Sequence, residues 1–168
     1  KLPIRFSQEE KFEGVGGASF ALGVDPTDSS NETGVVTNGG NDWETAEIIL
    51  DVPISITAGG DNKFSVRVYS PDDAEHGLMM KLEQSGDNEF IEIPKTFKGK
   101  GWNTVTFDFS TVTAQAWPNP GAAWDGNADF KKLVFFIDGG KSTPGVYHLD
   151  DIARNSQLYG LPIYFNDA

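Results

Sequence analysis

The sequence predicts an all-β sandwich of two antiparallel sheets, and three observations carry that prediction. No window of about a dozen residues keeps a helical apolar period between the breaks set by 19 Gly and 9 Pro. The apolar runs are dominated by β-branched and aromatic residues, which suit a pleated, half-buried surface. Finally, Lys132-Leu133-Val134-Phe135-Phe136-Ile137-Asp138 is a short continuous apolar run flanked by turn residues, the signature of a strand buried on both faces. At 168 residues the chain fits one domain with a sizeable core.

Charge narrows the function. With 13 basic against 25 acidic residues, a net charge of -12 argues against nucleic acid and anionic membranes as partners. It argues less strongly against polyanionic glycans such as alginate, and not at all against a neutral ligand. No apolar run reaches the length of a membrane span. Zero Cys excludes disulfides and thiolate metal sites, so a cross-linking ion would be a hard cation held by oxygens. Acidic, Cys-free and β-rich together suit a bacterial extracellular or cell-surface module acting as a monomer.

Along the chain, strands are expected at 12–21, 34–38, 43–51, 63–70, 78–83, 89–93, 102–109, 132–138 and 145–153. Leu2-Pro3-Ile4-Arg5-Phe6 recurs at four of five positions as Leu161-Pro162-Ile163-Tyr164-Phe165. The economical reading is a module at 1–159, with 160–168 a linker or the start of a following similar module; coincidence between two strands is the alternative. Asn31-Glu32-Thr33 fits a glycosylation acceptor pattern but reads more simply as turn chemistry.

Alternation assigns faces. Phe64, Val66 and Val68 point to the core, as do Leu78, Met80 and Leu82, then Val105, Phe107 and Phe109, and Ala46, Ile48 and Leu50. The opposite phase collects Tyr69, Arg67, Lys81, Glu83, Trp43 and Glu47 on what reads as one outer face. Aromatic planes mixed with hydrogen-bonding groups are what sugar recognition uses, because pyranose rings offer a C–H-rich face and a rim of hydroxyls. Trp102 is expected in the core, since it opens a buried strand. Trp117 and Trp124 lie in a Pro/Gly-rich loop from Thr113 to Ala128, too long to be idle. They are candidate ligand platforms alongside Trp43 and Tyr69, with Arg67 and Lys81 as hydroxyl donors.

The last strand holds Asp150-Asp151 between Leu149 and Ile152. Two carboxylates inside an apolar strand need a partner, a proton or a cation; Arg154 or a lysine is the rival to a cation here. No catalytic pattern emerges. His76 and His148 lack metal-ligand spacing, no Ser-His-Asp arrangement is visible, and a hydrolase or lyase would have to draw on Asp108, Asp138 or Glu83.

Several segments together resemble a known family: Leu-Pro-Ile-x-Phe at the start, Val-x-Val-Tyr-Ser-Pro at 66–71, Lys81-Leu82-Glu83, Gly101-Trp102-Asn103-Thr104-Val105-Thr106-Phe107-Asp108-Phe109-Ser110, Leu133 to Asp138, and Tyr147 to Ile152. They are similar to bacterial non-catalytic carbohydrate-binding modules of families 4, 6, 16 and 22, found in laminarinases and surface glycan-binding proteins. The resemblance implies a β-jelly roll with a structural Ca²⁺ held by an acidic residue near the N-terminus and an aspartate of the last strand. Asp150 fits the second role best and Asp151 next. At the N-terminus relatives often place Glu where this chain has Ser7, so Glu9 or Glu10 would serve after a small register shift. The expected function is binding of a neutral polysaccharide, a laminarin-type β-1,3-glucan first, which targets a larger secreted or surface protein. Another algal polysaccharide such as alginate, or a structural spacer in a tandem array with neighbouring modules, is the alternative.

Overall fold

Period-two apolar patterning buries one face of the long strands, and among the described residues eleven strands form two sheets. The computed structural model describes residues 1–6, 10–84, 89–112, 115–116 and 126–158. The strands are β1 (Glu13–Val15), β2 (Ser19–Val24), β3 (Glu32–Asn38), β4 (Thr45–Ile56), β5 (Lys63–Ser70), β6 (Glu75–Glu83), β7 (Glu89–Lys98), β8 (Gly101–Asp108), β9 (Gln115–Ala116), β10 (Ala128–Ile137) and β11 (Gly145–Arg154). They pair into a six-stranded sheet ordered β1-β4-β10-β6-β7-β9 and a five-stranded sheet ordered β2-β3-β11-β5-β8. The all-β sandwich expected from sequence is the architecture observed. The repeat at 160–168, with the module boundary it marks, lies outside the described residues, as do Glu9, Trp117 and Trp124.

The inward phase assigned to β5, β6 and β8 is the buried one: Phe64, Val66, Val68, Leu78, Met80, Leu82, Val105, Phe107 and Phe109 all line the core. Burying each such side chain contributes about 1.5–3 kcal/mol, so this layer dominates the favourable side of folding. From β10, Leu133, Phe135 and Ile137 join it, while Val134 is buried on the opposite face. The N-terminus is drawn in by a bridge between Ile4 and Ile152 of β11. Phe6, Phe12, Phe20 and Phe135 then stack in a chain of tilted rings 5.4–6.2 Å apart.

Three expectations are corrected. The single strand at 12–21 is two, because Gly16 and Gly17 take φ of 74° and 116° and turn the chain from β1 in one sheet to β2 in the other. The strand expected from 43 begins at Thr45 and runs on through Pro53 to Ile56. Pro53 is tolerated because β1 pairs only with residues 45–47 and the β10 register slips between Ile49 and Ile54. Trp102 is not in the core: it shares its phase with Thr104 and Thr106 and faces outward.

Candidate functional site

The two outer faces carry different chemistry. On the five-stranded sheet the registers align Val35, His148, Tyr69 and Trp102 in one row across β3, β11, β5 and β8. Tyr69 packs edge-on against Trp102 at 5.6 Å and against His148 at 5.8 Å. Arg67 lies over the Trp102 ring, 4.4 Å from its centroid, and ion-pairs with Asp150 at 3.7 Å and Asp151 at 3.3 Å. The turn after β2 folds onto this row. The Trp102 indole N–H donates to Asp25 Oδ1 at 3.0 Å and to Thr27 Oγ1 at 3.2 Å, and the Asn31 amide bridges Asp25 and Asp150. Thr33 Oγ1 meets His148 Nδ1 at 2.8 Å. Burial pulls on the Asp25 carboxyl in one direction, but hydrogen bonds from Thr27, Trp102 and Asn31 outweigh it and hold the group well below its ordinary value. Burial lowers His148, keeping it neutral, and raises Asp150. Rings and polar groups here are already spent on one another.

The six-stranded outer face is lined by charged and aromatic side chains. Its cross-strand rows are Thr45–Phe136–Met79–Pro94, Glu47–Val134–Lys81–Glu92 and Ile49–Lys132–Glu83–Phe90. A charged ladder crosses its centre. Lys132 pairs with Glu47 and, at 3.3 Å, with Glu83; Lys81 pairs with Glu83 at 2.7 Å and sits 4.0 Å over the Phe90 ring. Burial would raise the Glu83 carboxyl, yet Lys81 and Lys132 more than offset this and hold it below the usual range. The same pairs raise Lys132 against the lowering effect of burial. Glu92, with less compensation, is pushed up by burial.

At the edge of this face stands Trp43. It is 62% exposed, its ring rests on the backbone of Gly139 and Gly140, and Phe136 supports it edge-on at 6.0 Å. A Cβ on Gly139 would come within 3.3 Å of the indole, so the absence of a side chain there makes the seat. The preceding turn is fixed by Glu44, 1% exposed, whose carboxylate accepts from Gly39 N–H and Gly40 N–H. One groove opens over β1, β4 and β10, and a second along β4 and the N-terminal segment. The first, about 380 Å³, is lined by Lys11, Glu13, Glu47, Ile48, Ile49 and Lys132. The other, about 660 Å³, shares Lys11, Ile48 and Ile49 and continues to Lys1, Glu10, Asp51 and Val52.

Trp43 and Lys81 therefore share a face, whereas Tyr69 and Arg67 lie on the other side of the sandwich. The single face assembled from sequence is corrected, because β5 and β6, though consecutive, belong to different sheets. Phe136, Phe90 and Lys132 were not singled out from sequence. Their signal was present in the alternation Phe90/Glu92 against Ile91/Ile93, and in Lys132/Val134/Phe136 against Leu133/Phe135.

The carboxylates expected to hold Ca²⁺ are dispersed. Asp151, at φ 46° in a β-bulge, pairs with Arg5 at 3.5 Å and with Arg67, and Asp150 faces Arg67 and Asn31. Arginines so placed would repel a divalent cation, so these two residues do not fit the role. Glu10 is different, since its Oε2 is buried and has no hydrogen-bond partner among the described residues. Among the described residues no three acidic or histidine side chains gather into a metal-binding group.

Comparison with solved structures places this architecture. A family 11 carbohydrate-binding module from Clostridium thermocellum, in complex with a β-1,3-1,4-mixed-linked tetrasaccharide, superposes with a TM-score of 0.54 at 16% identity, over 89% of this chain and 91% of that one. The fold is that of the jelly-roll carbohydrate-binding modules. The CBM22-1 xylan-binding domain of Paenibacillus barcinonensis Xyn10C matches at 0.52 and 11% identity, over 84% and 82% of the two chains. The family 30 module of a Clostridium thermocellum cellulosomal cellulase matches at 0.52 and 11%, over 85% and 91%. No family model matches the sequence, and no curated protein does.

Proposed function

We propose that this domain is a non-catalytic carbohydrate-binding module of an extracellular bacterial protein, and that its six-stranded outer face takes a neutral polysaccharide, a laminarin-type β-1,3-glucan first. The observation that carries the reading is Trp43: a large ring left 62% exposed, yet seated on Gly139–Gly140 at the rim of a grooved face. Flat exposed indoles stack on pyranose faces, while the Glu47–Lys132–Glu83–Lys81 ladder offers preset donors and acceptors to hydroxyls. One structural neighbour in complex with a β-1,3-1,4-mixed-linked tetrasaccharide, and another described as xylan-binding, support a glycan ligand.

The state of Glu83 in the same ladder supports binding without chemistry, although Glu92 on this face is pushed up by burial. Glu83, held ionised by two lysines, is a poor proton donor, and glycoside hydrolysis needs a protonated acid paired with a second free carboxylate. Each lysine of the ladder is balanced by a glutamate, so a uronate chain would meet as many carboxylates as cations there.

Affinity electrophoresis across laminarin, mixed-linkage glucan, xylan and alginate tests the reading. Retardation by a neutral glucan, with no reducing ends released, is expected. Trp43→Ala should weaken it while Arg67→Ala leaves it intact; the reverse result would move the site to the five-stranded face. No retardation in any gel would leave a spacer domain instead. A structural Ca²⁺ bound through Glu10 belongs to the same proposal and is tested by melting with and without EDTA.

A further inference from the structure

Behind Trp43 lies a buried cluster with no part in the sugar-binding face itself. His76 of β6 is 4% exposed, and both of its ring nitrogens meet carboxylates: Nδ1 is 2.7 Å from Asp138 Oδ2 and Nε2 is 3.0 Å from Asp72 Oδ1. Both contacts are hydrogen bonds only for an imidazolium, which donates from each nitrogen. Asp138, 2% exposed, stands at φ 52° as the first residue of the turn 138–142. Its Oδ1 accepts from Gly77 N–H at 2.8 Å and Lys141 Nζ at 3.2 Å, and its Oδ2 accepts from the Tyr147 hydroxyl at 3.3 Å. The far side of that turn grips the Trp43 loop. Gly140 N–H donates to the Asp42 carbonyl, the Ser142 hydroxyl donates to Asp42 Oδ1, and the indole rests on Gly139–Gly140.

We propose that His76 is a positioning residue for the sugar platform: the imidazolium fixes Asp138, Asp138 fixes the turn, and the turn seats the Trp43 ring. The inference rests on the reading of Trp43 as the glycan platform. A residue in the left-handed region, such as Asp138, is retained only where its surroundings over-determine it, and here the side-chain bonds do so. The groups facing the imidazole are Asp138 and Lys141 from the turn, Asp72 from the loop before β6, Tyr147 from β11, and the Phe97 ring from β7 at 5.5 Å. Asp73 turns away to accept from Lys100 N–H. Burial would lower the imidazole, but Asp138 and Asp72 outweigh it and hold it above its ordinary value of 6.5. As pH rises through that raised value one nitrogen loses its proton and faces a carboxylate with no hydrogen to share, and the turn is freed on that side.

The test follows the Trp43 indole N–H by ¹H–¹⁵N correlation, assigned by its loss in Trp43→Phe, together with the His76 imidazole resonances and laminarihexaose affinity from mildly acidic to mildly alkaline pH. The indole signal should shift with the His76 midpoint, and affinity should fall by about fivefold across the same step, the low end of ordinary site-to-site coupling. His76→Gln should give an indole signal and an affinity that no longer change with pH. Asp72→Asn alters a side chain that is 56% exposed and keeps the fold; it should move the midpoint down. An indole signal that stays fixed while His76 titrates, or that still moves in His76→Gln, overturns the proposal. An indole that tracks His76 in a protein binding no glycan at any pH upholds the coupling and overturns the glycan reading instead.

Discussion

Trp43 and Trp102 show how two residues of one type are put to opposite uses by their neighbours. The Trp102 N–H is satisfied twice, with Arg67 over its ring and Tyr69 against it edge-on, whereas Trp43 has backbone beneath it and solvent above. Removing the Trp43 ring should therefore weaken glycan binding by about 1 kcal/mol or more, roughly five- to tenfold in Kd, with little change in melting temperature. Isothermal titration and a thermal melt check both halves. Arg67 presents the converse case. It is the cation nearest Asp150, which is 3% exposed, so Arg67→Ala strands a buried carboxylate and uncovers an indole face. The expected loss is about 2 kcal/mol, less than for a fully buried pair because Arg67 keeps a third of its side chain in water. Denaturant unfolding that shows no loss would mean that Asp25 and Asn31 alone hold that face. The outward orientation of Trp102 was legible in its own strand, since it lies out of phase with Val105 and Phe107; burial of its neighbours misdirected the reading.

At the scale of elements, the turn joining β10 and β11 is where the sandwich is clasped, since His76 belongs to the six-stranded sheet and Tyr147 to the other. Because His76 has its value raised on folding, its contribution is complete below the unfolded value near 6.5 and is lost as pH rises through the folded one. Asp138 behaves oppositely. Its carboxyl is lowered, burial notwithstanding, by His76, Gly77 and Lys141, so its contribution is present above 3.8 and lost as pH falls through the folded value. Melting temperature should thus decline as pH rises from about 6.5 through the folded value, and His76→Gln should flatten that decline. In β10, Phe135→Ala should cost about 3–5 kcal/mol, because the ring bridges the Phe12 stack and the sheet core. What each strand buries was legible from period-two patterning alone. Which sheet it joins was not, because alternation is blind to the crossing made by the loop 71–74 or the turn 39–44. Alternation therefore groups Tyr69 with Lys81, although the core separates them.

For the whole molecule, net charge and sheet architecture act together. A chain at -12 whose candidate face has its lysines in ion pairs should prefer neutral glucans to alginate, and moderate salt should leave glucan affinity unchanged. A strong salt dependence would point to an ionic ligand. If Ca²⁺ is bound through Glu10, its removal by EDTA should lower the melt, since a hundredfold excess of ligand over Kd stabilises by about 2.7 kcal/mol; an unchanged melt with metal removal verified eliminates the ion. Asn31, within its Asn-Glu-Thr tripeptide, uses its amide hydrogens to tie the turn after β2 to the last strand through Asp25 and Asp150. Sugar transfer to that nitrogen before folding would remove a hydrogen from this tie and put a bulky branch where the turn must close. In a eukaryotic secretory host, chain maturation and N-linked modification would compete for one atom, and replacing Thr33 to silence the acceptor would in turn strip His148 of its hydroxyl partner.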